Sequence, residues 1–115
     1  MKLLVCGDRN WSDEKLINAH LSTFDKDTIV IHGAARGADS LAGKEAMKLG
    51  FKVLEFPANW KKYGRAAGPI RNLQMLDQKP DIVLAFHDDI LNSKGTAHTV
   101  REAKKRGIAV ILAHH

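Results

Sequence analysis

The 115-residue sequence predicts an α/β fold, a doubly wound parallel five-stranded sheet in three α/β/α layers, built as a single domain over residues 1–115. Three observations predict it. Five short runs rich in Val, Ile and Leu are nearly continuous rather than alternating, as strands covered on both faces require. Helical patterns separate each run from the next, and strict β-α alternation builds a parallel sheet through right-handed crossovers. The hydrophobic fraction of 44% and charged fraction of 27% belong to a globular chain long enough for one core and too short for two. This is a Rossmann-like architecture.

The elements follow in order. Lys2–Cys6 (KLLVC) reads as the first strand, and no cleavage site follows it to make it a signal peptide. The single Cys6 excludes an internal disulfide, fits a reducing compartment, and reads as a small buried hydrophobe at a strand end. In Ser12–Thr23, Ser12 with Asp13 and Glu14 makes a helix start; Leu16, Ile17, Ala19, His20 and Leu21 supply the apolar face. Thr28–His32 is the second strand, Ala38–Leu49 the second helix and Phe51–Phe56 the third strand. Pro57–Ala66 (PANWKKYGRA) is the longest irregular stretch, and loops of that length are often functional or act as lids. Helix Ala67–Asp77, strand Asp81–Phe86, helix Thr96–Arg106 and strand Ile108–Leu112 complete the series, with Gly50 and Gly107 where C-terminal caps belong. No apolar run approaches the roughly 20 residues of a membrane span, so a cytoplasmic location without a membrane partner is expected.

The net charge of +5 and pI near 9.5 suit anionic partners, nucleotides or nucleic acid, without choosing between them. Lys104, Lys105 and Arg106 supply part of the excess at a helix end, where cations complement the dipole. His114 and His115 are given no role, because a native end and the stub of a purification tag read alike.

Ligands of open α/β sheets bind beyond the carboxyl ends of the strands, near the point where strand order reverses. Gly7-Asp8-Arg9-Asn10-Trp11 follows the first strand and Gly33–Asp39 the second; Gly68-Pro69-Ile70-Arg71-Asn72 opens the third helix, and Gly95-Thr96 the last. Gly33 and Gly37 allow close backbone approach, and amides at the start of the next helix make a phosphate cradle. Arg36 can grip a phosphate or carboxylate through two hydrogen bonds, or be a surface charge. Asp39 can cap the helix or accept from ribose hydroxyls. Arg9 and Arg71 are further candidates for the anion, with a solvated charge as the alternative. Trp60 and Tyr63 can stack on a base or cover the sheet edge; at least one is expected to line the pocket. Thr96 offers a hydroxyl beside an anion, or an ordinary N-cap. Asp88 and Asp89 read as exposed loop acids.

Neither standard nucleotide fingerprint is present. No G-x-G-x-x-G follows the first strand, and Gly37…Gly43-Lys44-Glu45 has the wrong spacing and lacks the hydroxyl of a P-loop. No metal and no organic cofactor is implied: His20, His32, His87 and His98 are scattered and the single cysteine has no partner spacing.

Gly7-x-Arg9-x-x-x-Asp13, His32-Gly33-Ala34-Ala35-Arg36-Gly37-Ala38-Asp39, Pro57-Ala58-Asn59-Trp60, Gly64-Arg65-Ala66-Ala67-Gly68-Pro69-Ile70-Arg71-Asn72-x-x-Met75 and Gly95-Thr96 together carry a resemblance. It covers nearly the whole chain. The set resembles the YspA-like, cpYpsA-related branch of the SLOG superfamily, Rossmann-like proteins of bacteria and phages related to the LOG cytokinin-activating phosphoribohydrolases and to the DNA-processing protein DprA. The resemblance implies a nucleotide-like ligand at the carboxyl edge of the sheet. Gly33, Arg36, Gly37 and Asp39 match the motif after the second strand, Arg71 and Asn72 the third-helix motif, and Gly95 and Thr96 the Gly-Thr turn. LOG hydrolases carry Pro-Gly-Gly-x-Gly-Thr-x-x-Glu, whose Glu serves N-glycosidic chemistry. Here Thr99 holds that position, Lys94 replaces a glycine, and Glu102 lies one turn further on.

Three functions are weighed. The first is a binding module for a nucleotide-like anion, holding phosphate on Gly33–Asp39 and Gly95–Thr96 with Arg36 and Arg71, and the base near Trp60. The second is a nucleotide N-glycosidase or phosphoribohydrolase using Asp39 or Asp13; the third is single-stranded nucleic-acid binding in the manner of DprA. Relatives pair through helices, which leaves a homo-oligomer open, although no helix here announces an interface.

Overall fold

The computed structural model describes residues 1–115. Five strands, β1 (Lys2–Gly7), β2 (Ile29–His32), β3 (Lys52–Glu55), β4 (Ile82–Phe86) and β5 (Ala109–Ala113), form one parallel sheet in the order β3-β2-β1-β4-β5. The helices between them are α1 (Glu14–Leu21), α2 (Ala38–Lys48), α3 (Trp60–Tyr63), α4 (Ala67–Asp77) and α5 (Gly95–Lys105). This is the doubly wound, three-layer α/β architecture that the sequence predicts.

Alternation along β1 divides the core. Leu3 and Val5 point to one face with Ile17 and Leu21 of α1 and Ala42 and Ala46 of α2. Leu4 and Cys6 point to the other, with Met75 and Leu76 of α4 and Val100 and Ala103 of α5. Cys6 is therefore the small buried hydrophobe its sequence context suggests. Gly50 and Gly107 follow α2 and α5 with φ of 87° and 73°, the left-handed turn that ends a helix. No helix is long and apolar enough to cross a membrane.

Four local expectations change. Asp13, rather than Ser12, caps α1 by accepting the Leu16 amide at 3.1 Å. Ala19 is exposed, while His20 meets Phe86 edge-on at 5.5 Å. Pro57–Ala66 is irregular only over its first three residues: Asn59 caps α3 through the Lys62 amide at 3.1 Å, and a 3-10 turn over Gly64–Ala66 leads into α4. Nor is β5 covered on both faces. It is an edge strand, and Ile111 and Leu112 are exposed.

Candidate functional site

The chain turns from β1 outward to β2 and β3 on one side, and returns to place β4 on β1's other side. The loops after β1 and β4 therefore part at this junction, and a crevice of about 450 Å³ opens there. Its floor holds Cys6, Met75 and Thr99, all buried. Arg9 and Asn10 stand on one wall, Arg36 and Asp39 on the next, Arg71 and Asn72 of α4 behind, and His87 with Ser93–Thr96 opposite.

The inner part is organised around Asp39. Its Oδ2 accepts the Gly33 amide at 2.9 Å. Arg71 lies alongside: its Nη1 donates to the Gly33 carbonyl, and its Nε donates to Asn72 Oδ1 at 2.9 Å. Asn72 Nδ2 in turn lies 3.3 Å from His98 Nδ1. Burial pushes the Asp39 carboxyl up to about 6, with the Arg71 charge and the Gly33 and Ala35 amides pulling the other way. Burial also lowers Arg71, which Asp39 opposes. The Cys6 thiol is raised by burial and by Asp39, so it stays protonated at neutral pH and is no nucleophile.

Two glycines have a different use from the one their spacing suggests. A Cβ on Gly33 would lie 2.6 Å from Arg71 Nη1 and 2.9 Å from Asp39 Oδ2. A Cβ on Gly37, whose φ is +80°, would lie 2.4 Å from the Arg9 carbonyl. Both glycines let parts of this chain approach each other. Neither lines the crevice, and the Gly33 amide is taken by Asp39 rather than left for an external anion. Ala34 between them is held at φ 56°, a strained setting for a non-glycine residue, with its amide donating to buried His32 at 3.0 Å.

The outer part is cationic and less committed. Arg36 is exposed and touches only Asn10, through Nη2 to Oδ1 at 3.4 Å. Arg9 and Lys94 are exposed at the same mouth. Helix α5 begins at Gly95, so Thr96 is not its N-cap; Lys94 holds the cap position without a side-chain bond. Ser93 Oγ accepts the Ala97 amide at 2.9 Å, and the Lys94 carbonyl accepts that of His98 at 3.0 Å. The Gly95 and Thr96 amides have no protein acceptor, and they carry the positive end of an 11-residue helix.

Of the residues singled out in the sequence, Gly7, Arg9, Arg36, Asp39, Arg71, Asn72, Gly95 and Thr96 meet at this one crevice. Trp60 does not. It is 60% exposed on α3, near Gly68, and Tyr63 also lies outside the lining. Asn10, His87 and Lys94 line the crevice without having been singled out; the position of Asn10 and His87 in the loops after β1 and β4, and of Lys94 at the start of α5, was the available signal. Thr99 is on the floor, its hydroxyl turned back to the Gly95 carbonyl at 3.2 Å. His115 stacks on Trp11 and lies outside the crevice lining.

Comparison with known proteins bears on the family and the fold. The gene 61 protein of Mycobacterium phage D29 is 36% identical over 121 residues, covering 96% of this chain and 94% of the phage protein. The X-ray structure of DNA processing protein A (DprA) from Streptococcus pneumoniae superposes with a TM-score of 0.78 over 96% of this chain, at 17% identity. The chain spans about half of that DprA chain, 49%, and the likeness is one of fold. Residues 1–63 match the family described as YspA, cpYpsA-related SLOG. With a match over more than half its length, and motifs lining the crevice, the chain belongs to the YspA, cpYpsA-related SLOG family.

Proposed function

We propose that the crevice binds a nucleotide or nucleotide-derived anion. Phosphate sits at the start of α5, on the Gly95 and Thr96 amides and the Thr96 hydroxyl, with Arg36, Arg9 and Lys94 closing over it. The inner Asp39, Asn72 and Arg71 face the sugar. The carrying observation is the convergence of exposed cations from three separate segments on a helix start with two unpartnered amides. Calorimetric titration with nucleoside monophosphates tests it: saturable heat is expected, with loss of affinity for the matching nucleosides. Absence of binding, or equal affinity for both, overturns the reading.

One observation favours a second reading, hydrolysis of the N-glycosidic bond. The Asp39 carboxyl, raised to about 6 on the crevice wall, exchanges a proton near neutral pH, as a general acid or base must. Against it, Thr99 replaces the carboxylate that the LOG pattern carries. Release of free base from nucleoside monophosphates supports the enzyme; intact nucleotide beside saturable binding removes it. A single-stranded nucleic-acid ligand would instead give affinity that falls steeply with salt.

A further inference from the structure

We propose that Trp11, Asp13 and Asp88 form a receptor for a protonated imidazole ring, filled in this chain by His115, which latches the end of β5 across the edge of the sheet. The ring of His115 lies flat on the Trp11 indole, centroids 4.6 Å apart and planes inclined by 10°. Its Nε2 is 2.9 Å from Asp13 Oδ2 and its Nδ1 2.8 Å from Asp88 Oδ2. The His115 amide donates to the second Asp88 oxygen at 2.7 Å.

The chemistry follows from counting protons. An ionised carboxylate only accepts, and a neutral imidazole has one N–H. Both contacts are satisfied together only by the imidazolium, whose charge then also lies over the indole face. Exposed ion pairs are weak singly, but here two carboxylates and a stacking surface address one ring.

Two members of the receptor, Trp11 and Asp13, are anchored by contacts other than those to His115. Trp11 is buried among the α1-side core residues, tilted against Phe86 at 5.6 Å, and its Nε1 donates to the Asp13 carbonyl at 3.1 Å. Asp13 divides its oxygens, Oδ1 capping α1 through Leu16 and Oδ2 facing the ring. The groups that face His115 are thus Asp13 from the α1 cap and Asp88 from the β4 loop, with neighbouring His114 acting on Asp88; His20 of α1 packs on Phe86. The hydrogen bonds from Asp88 and Asp13 hold the imidazole above its ordinary range, and His115 lowers both carboxyls. A raised imidazole is engaged at low pH and lost as pH rises through its folded value. Lowered carboxyls fail only as pH falls through theirs. The latch is therefore closed at mildly acidic pH and opens as pH rises through the raised folded value of His115. It ties the loop after β1 to the loop after β4, which are two walls of the crevice.

Trp11 fluorescence reads the latch directly in a Trp60→Phe background, since the chain has only these two tryptophans and Trp60 is exposed. Protonated imidazole quenches indole, so emission is expected to be low at about pH 5 and to recover as pH rises through the range in which histidine charge changes. His115→Ala is expected to abolish this transition, and free imidazole at mildly acidic pH to restore the quench saturably. Asp13→Asn with Asp88→Asn, which keeps an acceptor for the α1 cap, should prevent that rescue. A transition that survives His115→Ala overturns the proposal, as does imidazole quenching that never saturates or that is unchanged in the double Asn variant.

Discussion

Arg36 and Arg71 carry the same charge into the same crevice, yet their surroundings assign them different work. Arg36 is exposed, with one long contact to Asn10, and is free to turn onto a ligand. Arg36→Ala should weaken nucleotide binding by about 1.5–3 kcal/mol, the range for a hydrogen bond to a charged group. Its unfolding free energy in urea melts should stay within about 0.5 kcal/mol of the parent. Arg71 is half-buried, holds the Gly33 carbonyl and Asn72, and neighbours the buried Asp39 carboxylate. Arg71→Ala strands that carboxylate, and should destabilise the fold by about 3 kcal/mol in urea melts at constant m-value. Comparable losses of stability in the two variants would refute this division.

At the level of elements, the turn between β2 and α2 interlocks with the loop after β1. The Asp8 carbonyl accepts the Ala38 amide at 3.0 Å, and Gly37 passes against the Arg9 backbone. With φ at 80° and ψ at −125°, Gly37 occupies a region closed to other residues. Gly37→Ala should cost about 2 kcal/mol or more from backbone strain and the clash with Arg9, and it should loosen Arg9 and Arg36 together. Hydrogen exchange of the two loops, compared with that of α4, would show whether the damage is so confined. The segment over Pro57–Ala66 teaches the opposite lesson. Its polar, aromatic composition resembled a functional loop, but an asparagine cap and the four following residues suffice for a short helix that stays outside the crevice.

Across the whole molecule, pH sorts the buried and latched groups by sign. The Asp39 carboxyl, at about 6 folded against 3.8 as a free group, binds its proton more tightly in the native state. Its contribution to stability therefore falls as pH rises between these values, by about 3 kcal/mol at most. His32 is lowered by burial, so its contribution is full above its free value of 6.5 and is lost as pH falls below it. His115 runs the other way, contributing below 6.5 and fading as pH rises through its raised folded value. Asp39→Asn should remove the decline with rising pH from about 4 to 6, measured as urea midpoints across that range. An unchanged profile would mean that Asp39 is solvated in the folded protein.

The strands, the helices and the gathering of Gly7, Arg36, Arg71 and Gly95 at one edge were legible in one dimension, because periodicity and turn chemistry are local and a parallel sheet sends every βα loop to the same end. Which of those groups remained free for a ligand was not legible. The Gly33 amide looked available until Asp39 was seen to accept it, and Gly37 looked open until Arg9 was seen to fill its flank. Trp60, set in the family-like block, stands outside, while Trp11 acquires a ring 104 positions along the chain. Such pairings depend on strand order and on hydrogen bonds between distant residues, where several partners of the same chemistry compete and only packing selects one.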